Sequence, residues 1–468
     1  MHRWRRRYQP IRDGLVQRYE VAFRIGGEKD FSAGYAAAWR WAWDTLRPRV
    51  TPHDIDLARR SLVDMLSSVV VETHGRAGIP NYIDAISKDM KHADRRAVFG
   101  FCGKNLEAAR CLLREAELEH TARGQRMRRQ AELMIASFLK LRMVPPEGEG
   151  FDLDSGQAVC ALPRDAQVYL RSFGDDVKAL LAAYQREKQG GREHPDWLAW
   201  CRGFADWLLT QQQPGGGFPR SWTPASGKVA SASPNSSYNA VPLLVLLWRI
   251  SGERKYLTAA ERAADFCWKS GQDQGQFIGG TIDNPDVIDK EAATLSLETY
   301  LDLFETTRDS IWLDRARAAA SNAETWIYLW DVPMVPDQPS ANLHWKPGVP
   351  TAGLQLISTG HSLVDEYMAS SADEYARLFQ ITGDPHDLDV ASLLCHDTKS
   401  MLALPGRTFD LGIPGWQQEH WSLAPVRGRG LHRGWLPWVA TSQLDGIFGL
   451  MKLDPAISRK VLKARQSR

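Results

Sequence analysis

The chain has 468 residues, of which 43% are hydrophobic and 24% charged, and its formal net charge is +2. This composition excludes a disordered or fibrous protein and favours an ordinary globular one. Apart from one basic run at residues 2–7, acidic and basic residues are interspersed along the chain. The sequence therefore lacks the basic stripe that is typical of nucleic-acid-binding proteins. No apolar run reaches the roughly 18 residues of a membrane span, so no membrane partner is expected.

The basic N-terminus is not followed by the apolar segment of a signal peptide. The sequence as it stands therefore predicts a cytoplasmic protein, or a secreted or periplasmic one if an export signal has been removed. The six cysteines are scattered without C-x-x-C spacing, which favours free thiols over disulfides or a zinc site. Because H-E-x-x-H, P-loop, G-x-S-x-G and Rossmann motifs are all missing from the sequence, we expect neither a metal nor a cofactor.

In chain order, the predicted elements are helical and repeat as pairs. Each pair has a more apolar helix, a short turn with Gly or Asp, and a second helix that alternates charged residues with Ala and Leu. This pattern predicts an inner and an outer ring of about thirteen helices in six hairpins. The predicted segments are 31–46 with 54–71, 105–140, 180–209, 243–269, 297–327, 372–402, and a terminal helix at 434–452.

The connections alternate in length, because turns within pairs are short and connections between pairs are long. In a ring of hairpins, all the long connections emerge on one face. Long loops in compact proteins usually carry function. We therefore expect the active site among the connections at residues 72–104, 141–164, 210–237, 270–288, 328–363 and 403–432.

Three stretches carry a resemblance to a known superfamily. They are FADWLLTQQQPGGGFPRSW (204–222) and the turns in SGERKYLTAAERAADF (251–266) and TGDPHDLDVA (382–391). They resemble the six-hairpin glycosidase superfamily, which includes unsaturated glucuronyl hydrolases, other inverting glycosidases and some polysaccharide lyases. The resemblance implies an all-α (α/α)6 toroid over about residues 30 to 452. We thus expect residues 1–468 to form a single domain, with 1–30 as an N-terminal extension.

Acidic residues cluster in the long connections, and glycoside hydrolysis requires two carboxyl groups, one acid and one base or nucleophile. Asp283 follows a Gly pair and is expected to face the cleft, whereas Asp289 is either a helix N-cap or a catalytic base. The catalytic candidates are Asp283, Asp289, Glu291, His361, Asp365, Glu366 and Glu419.

Aromatic and basic residues in the same connections suit sugar binding. The chain has 18 Trp, many beside Gly or Pro in loops, where flat rings stack on sugars. Arginines on the same face suit a carboxylate and thus an acidic, uronate-containing sugar. The binding candidates are His74, Tyr82, Arg220, Trp222, Tyr238, His420, Trp421, Arg429, Arg433 and Trp435.

The resemblance and these residues together predict an inverting glycoside hydrolase acting on a uronate-containing oligo- or polysaccharide such as a glucuronide. A polysaccharide lyase on the same toroid is the alternative enzyme, with Tyr or His removing a C5 proton. A non-catalytic helical-repeat binding protein is the alternative from another class, and it predicts an open solenoid. The expected partner is a carbohydrate substrate, and a homo-oligomer is possible.

Overall fold

The computed structural model describes residues 13–16, 18–83, 94–162, 164–332, 349–360, 363–409, 411–422 and 436–463. These ranges contain fourteen α-helices. They are α1 (Phe31–Leu46), α2 (Ile55–Ser68), α3 (Asn105–Leu118), α4 (Ala122–Phe138), α5 (Leu170–Gln189), α6 (Pro195–Thr210), α7 (Val241–Ser251), α8 (Arg254–Lys269), α9 (Lys290–Thr307), α10 (Ser310–Glu324), α11 (Ala372–Thr382), α12 (Pro385–Asp397), α13 (Leu436–Leu450) and α14 (Pro455–Leu462).

The helices form two rings. Helices α3, α5, α7, α9, α11 and α13 contact one another in a closed inner cycle, and α4, α6, α8, α10 and α12 pack outside as their hairpin partners. The turns within hairpins are short because each inner helix can stop abruptly. For example, α11 ends at Gly383, whose φ is +75°, and Asp384 then caps α12 through the His386 amide. The predicted all-α (α/α)6 toroid is confirmed, and its closure excludes an open solenoid.

The sixth hairpin differs from the prediction. The sequence pairs the first two helices with each other, but α1 packs outside the ring against α10. Helix α2 instead packs on α13 and α3, so the first ring helix and the last one complete the toroid together. Two helices far apart in sequence thus close the ring, which local periodicity does not reveal.

The long connections are 1 (69–104), 2 (139–169), 3 (211–240), 4 (270–289), 5 (325–371) and 6 (398–435). The described residues of these connections hold eleven short strands. These are β1 (Val71–Thr73), β2 (Arg76–Gly78), β3 (Arg96–Val98), β4 (Gly150–Asp152), β5 (Ala158–Val159), β6 (Val168–Tyr169), β7 (Ser221–Trp222), β8 (Val229–Ser231), β9 (Gln355–Leu356), β10 (Leu363–Asp365) and β11 (Trp421–Ser422).

Small antiparallel sheets join neighbouring connections into one layer. β3 pairs with β4, β6 with β7, and β10 with β11, which links connections 1 with 2, 2 with 3, and 5 with 6. A bridge between Asp289 and Ser358 links connections 4 and 5. This layer covers the N-terminal ends of the inner helices, as the alternating connection lengths predict.

The hydrophobic core fills the space between the two rings. Phe99 and Phe138 stack at 5.0 Å between ring centroids, and Phe173 packs on Phe204 at 4.7 Å. The inside of the inner ring is charged instead, as described below. In the described part of the chain, no helix is long and apolar enough to cross a membrane.

Candidate active site

Asp289 is the N-cap of α9. Its Oδ1 accepts a hydrogen bond from the Ala292 amide at 2.7 Å, and its Oδ2 accepts one from the Gly280 amide at 2.9 Å. Complete burial, together with the nearby Glu291 carboxylate, raises the pKa of Asp289 to about 7 despite these bonds. Of the two roles that the sequence leaves open for Asp289, the structure shows the cap, which also holds the Gly279–Gly280 turn.

Arg171, at the start of α5, organises the floor of the site. Its Nη1 donates to Glu291 Oε2 at 2.7 Å, its Nη2 to the Tyr367 hydroxyl at 3.0 Å, and its Nε to Asp175 Oδ2 at 3.3 Å. Asp175 also accepts from Lys104 Nζ at 2.9 Å. All five side chains are buried. Glu291, a catalytic candidate in the sequence, therefore serves as the partner of a buried arginine.

Lys290 and Asp365 form a second buried pair beside the first. Lys290 Nζ lies 2.5 Å from Asp365 Oδ2, and Asp365 Oδ1 accepts from the Tyr367 amide at 3.1 Å. Lys290 also lies over the Tyr367 ring, 5.7 Å from its centroid, and Trp438 stacks on that ring at 5.4 Å. Asp365 is thus compensated by a cation and a backbone amide.

The pairing of β10 with β11 brings two carboxyl groups and an imidazole together. Val364 is level with Trp421, so in the antiparallel register the segment after Val364 runs beside the one before Trp421. This arrangement places Glu366 within electrostatic reach of Glu419. His420 Nε2 in turn lies 3.2 Å from Glu419 Oε1.

Glu366 differs from its neighbours because it is a fully buried carboxyl without compensation. Neither of its oxygens has a hydrogen-bond partner among the residues that the structure describes. Burial, and then the carboxylates of Asp365 and Glu419, hold the pKa of Glu366 well above its usual range. This shift favours the protonated form of Glu366. Burial also lowers the pKa of His420 to about 4, which keeps its imidazole neutral.

A cavity of about 560 Å³ lies on the same face of the toroid, and its lining does not include Glu366, Glu419 or His420. Its wall includes Tyr82, Cys102, Asp283 and the exposed Arg164. Burial and the charges of Glu419 and Asp283 hold the pKa of the Cys102 thiol well above its usual range, which shows that Glu419 lies near the same wall. Tyr82 and Asp283, both candidates from the sequence, therefore lie on one cavity next to Glu419.

The side chains of Arg220 and Tyr238 donate hydrogen bonds to backbone carbonyl groups of connection 4. Arg220 is buried; its Nη1 donates to the Gly279 carbonyl at 3.2 Å, and its Nη2 to the Thr281 carbonyl. The Tyr238 hydroxyl donates to the Ile278 carbonyl at 3.0 Å. The Arg220 guanidinium thus positions connection 4, and its expected contact with a substrate carboxylate stays a prediction.

Three further binding candidates are also placed away from the cavity. Trp222 is fully buried in the main core, where it packs on Trp207 and donates to Gln211 Oε1 at 3.1 Å. Trp421 is a core residue of the small cluster under connection 5. His74 is exposed at the tip of the β1–β2 hairpin, which packs on the outer helix α4. None of the three lines the described cavity, and their expected contact with a sugar stays a prediction.

His361, Arg429, Arg433 and Trp435 lie outside the described residues. Sequence reasoning missed Arg171, Lys290 and Tyr367. Lys290 and Tyr367 could have been found, because they are adjacent in sequence to the catalytic candidates Asp289, Glu291 and Glu366. A buried Arg in a helix has no local signature, because only its tertiary partners distinguish it from a surface Arg. Within the described ranges, no group of three or more His, Cys, Asp or Glu is arranged to hold a metal ion.

Comparison with solved structures identifies the fold. D-mannose isomerase aligns with a TM-score of 0.57, 9% sequence identity, and coverage of 85% of this chain and 97% of that one. Cellobiose 2-epimerase from Spirochaeta thermophila aligns with a TM-score of 0.57, 11% identity, and coverage of 89% and 98%. An unsaturated glucuronyl hydrolase specific for heparin aligns with a TM-score of 0.51, 11% identity, and coverage of 86% and 97%.

The chain has the six-hairpin glycosidase fold. No family model matches the sequence, and no relative is found among curated proteins. At these identities the likeness concerns the fold alone, and a six-hairpin toroid hosts several chemistries. The reaction of this six-hairpin protein must therefore be argued from its own residues.

Proposed function

We propose that this six-hairpin protein is a carbohydrate-active enzyme, and specifically a glycoside hydrolase that uses Glu366 as its general acid. The observation that carries the proposal is the buried carboxyl of Glu366, which has no hydrogen-bond partner in the described structure and whose pKa is raised by burial and by the nearby Glu419. Two neighbouring buried carboxyl groups do not both ionise readily, so one keeps a proton while the other is a carboxylate. Glycosidic hydrolysis requires this combination.

In the proposed mechanism, a sugar occupies the cavity lined by Asp283 and Cys102. Glu366 donates its proton to the glycosidic oxygen as the bond to the anomeric carbon breaks. Glu419, held by His420, accepts a proton from the water that attacks that carbon. The proton lost by Glu366 is thus matched by the proton that Glu419 gains, and the inverting course predicted from the sequence is kept as part of this proposal.

The substrate class in this proposal is a uronate-containing sugar. Arg164 is exposed on the cavity wall, and a guanidinium there is suited to a sugar carboxylate. An unsaturated glucuronyl hydrolase has a similar fold, which is consistent with a uronate substrate. The specificity of that enzyme does not by itself apply to this chain. Arg164 replaces Arg220 as the residue on which the acidic-sugar hypothesis depends.

A second candidate function is sugar epimerisation or isomerisation, which His420 favours. A buried neutral imidazole beside a carboxylate can remove a proton from carbon. Epimerases and an isomerase occur among the similar folds. Here His420 would act as the base and Glu366 as the group that returns or relays a proton.

One experiment separates these reactions. Uronate-capped and neutral disaccharides are incubated with the protein in deuterium oxide and followed by proton NMR. Hydrolysis yields new reducing-end signals without carbon-bound deuterium, whereas epimerisation or isomerisation through proton abstraction places deuterium on carbon. The lyase alternative yields an unsaturated product with ultraviolet absorbance. No change in any substrate would contradict the proposed activity.

A further inference from the structure

A charged chamber occupies the inside of the inner ring at the end away from the candidate active site. Its volume is about 280 Å³, and all six inner helices contribute to its wall. It begins under Lys104, Asp175 and Tyr367, near the helix N-termini, and reaches Arg249 and Lys452 at the C-terminal ends. The Arg171 network therefore lies between the chamber and the Glu366 group.

Most cations along the chamber wall already have carboxylate partners. Lys178 Nζ lies 2.8 Å from Glu298 Oε1 and 2.9 Å from Oε2. Arg377 Nη2 donates to Asp302 Oδ1 at 2.7 Å, and its Nε donates to Glu305 Oε1 at 3.0 Å. Arg110 makes a close ion pair with Asp445 on α13.

Two adjacent acids in the first turn of α11 are compensated less directly, because the Arg377 charge acts on both and the Lys452 charge acts on Asp373 against the burial that raises their pKa values. Glu374 is only 9% exposed, and its Oε2 is buried without a hydrogen-bond partner in the described part of the chain. Asp373 faces Gly449, where any side chain would overlap its carboxylate. Burial raises the pKa of Asp373 to about 7, and burial and the Asp373 charge hold the pKa of Glu374 well above its usual range. Burial of a carboxylate without a full set of partners costs free energy. A positively charged ligand in this chamber would therefore be favoured electrostatically.

We propose that the chamber binds a small primary ammonium compound through Glu374 and Asp373. An ammonium group supplies both the positive charge and three N–H donors for carboxylate oxygens. A metal ion is disfavoured because no suitable cluster of ligands exists among the described side chains. The chamber volume of about 280 Å³ accommodates a small compound of this kind.

Lys452 is a built-in competitor of this ligand. It is exposed at the C-terminal end of the chamber, and its charge interacts with Asp373. Among the cations that act on Asp373, Arg377 is already paired with Asp302 and Glu305, whereas no ion pair of Lys452 is seen in the described structure. Removal of Lys452 is therefore expected to strengthen amine binding in the chamber. Nonspecific attraction of amines to surface carboxylates would not show this dependence on Lys452.

The test uses the full chain, with melting temperature and isothermal titration calorimetry as readouts. The probes are 1,4-diaminobutane and ethanolamine, compared at equal ionic strength with tetramethylammonium chloride and potassium chloride. We expect a dose-dependent rise in melting temperature with the primary amines only, because tetramethylammonium has the charge but no N–H donor. Equal effects of all four salts, or no effect of the amines, would overturn the proposal.

Three variants locate the site. Glu374→Gln is expected to weaken amine binding at least tenfold, and it should fold because it replaces a buried carboxyl group whose Oε2 has no hydrogen-bond partner in the described structure. Asp314→Asn is the matched control, since it makes the same charge change at a side chain that is 75% exposed, and it should leave binding unchanged. Lys452→Met should tighten binding. Unchanged binding in Glu374→Gln, or an equal loss in Asp314→Asn, would refute this assignment whatever the outcome for Glu366.

Discussion

Lys290 Nζ donates to Asp365 Oδ2 at 2.5 Å across a fully buried contact between α9 and β10. This pair fixes connection 5 to the N-terminus of an inner helix and orients the segment that carries Glu366. Burial raises the pKa of Asp365, and the Lys290 ammonium beside it opposes that rise, whereas Glu366, the next residue, has no hydrogen-bond partner at either carboxyl oxygen in the described structure. The two neighbouring carboxyl groups therefore lie in different electrostatic environments.

The first prediction concerns Lys290. Lys290→Met leaves the Asp365 carboxylate buried without its cation, so the free energy of unfolding should fall by about 3–5 kcal/mol. The change is measured by urea denaturation. Lys188→Met, an exposed lysine on α5, is the control and should change stability by less than about 0.5 kcal/mol. A Lys290→Met protein as stable as the control would show that the pair does not hold connection 5.

The second prediction concerns Glu366. Glu366→Gln removes the proton donor, so turnover of the substrate found in the NMR screen should fall by about 10²–10⁴-fold. The free energy of unfolding should be unchanged or higher, because the replaced carboxyl has no partner among the described residues. Glu132→Gln on α4, with a side chain 43% exposed, is the control. Wild-type turnover in Glu366→Gln would rule out its role as the acid.

The third prediction is a pH dependence of stability at the α9 cap. The folded protein raises the pKa of Asp289 to about 7 from its ordinary value of 3.8, so the folded state binds this proton more tightly than the unfolded chain. The stability from this group is complete below about pH 4 and is lost as the pH rises through 7. Asp289→Asn keeps a cap and cannot ionise.

Urea denaturation between pH 4 and 8 checks this linkage. The difference in unfolding free energy between Asp289→Asn and wild type should move in favour of the variant as the pH rises from 4 to 7, and then level off. Because other groups titrate equally in both proteins, the difference isolates Asp289. A difference that stays constant over this range would contradict the raised pKa.

The fourth prediction separates two arginines near the cavity. Arg220→Met should raise KM for uronate and neutral sugars by the same factor, because Arg220 donates to the Gly279 and Thr281 carbonyls and positions connection 4. Arg164→Gln should raise KM selectively for uronates, by tenfold or more if it loses a charge-assisted hydrogen bond. Steady-state kinetics on a matched pair of substrates measures both effects. A uronate-selective effect of Arg220→Met alone would reverse the assignment.

The sequence by itself determined the repeating helical hairpins, the two rings and the face on which the long connections meet. It also drew attention to Glu366, Glu419 and His420, which the structure brings together, and to Asp283 on the adjacent cavity. These features are readable because helix periodicity, turn residues and connection lengths are local properties of the chain.

Only the tertiary structure decided which acids are compensated. Asp289 caps a helix, Glu291 is paired with Arg171, Asp365 is paired with Lys290, and Glu366 lacks a partner in the described structure. In the sequence these four acids look alike. Their protonation depends on burial and on charges contributed by other connections, because an electrostatic environment is set by distances in space and not by spacing along the chain.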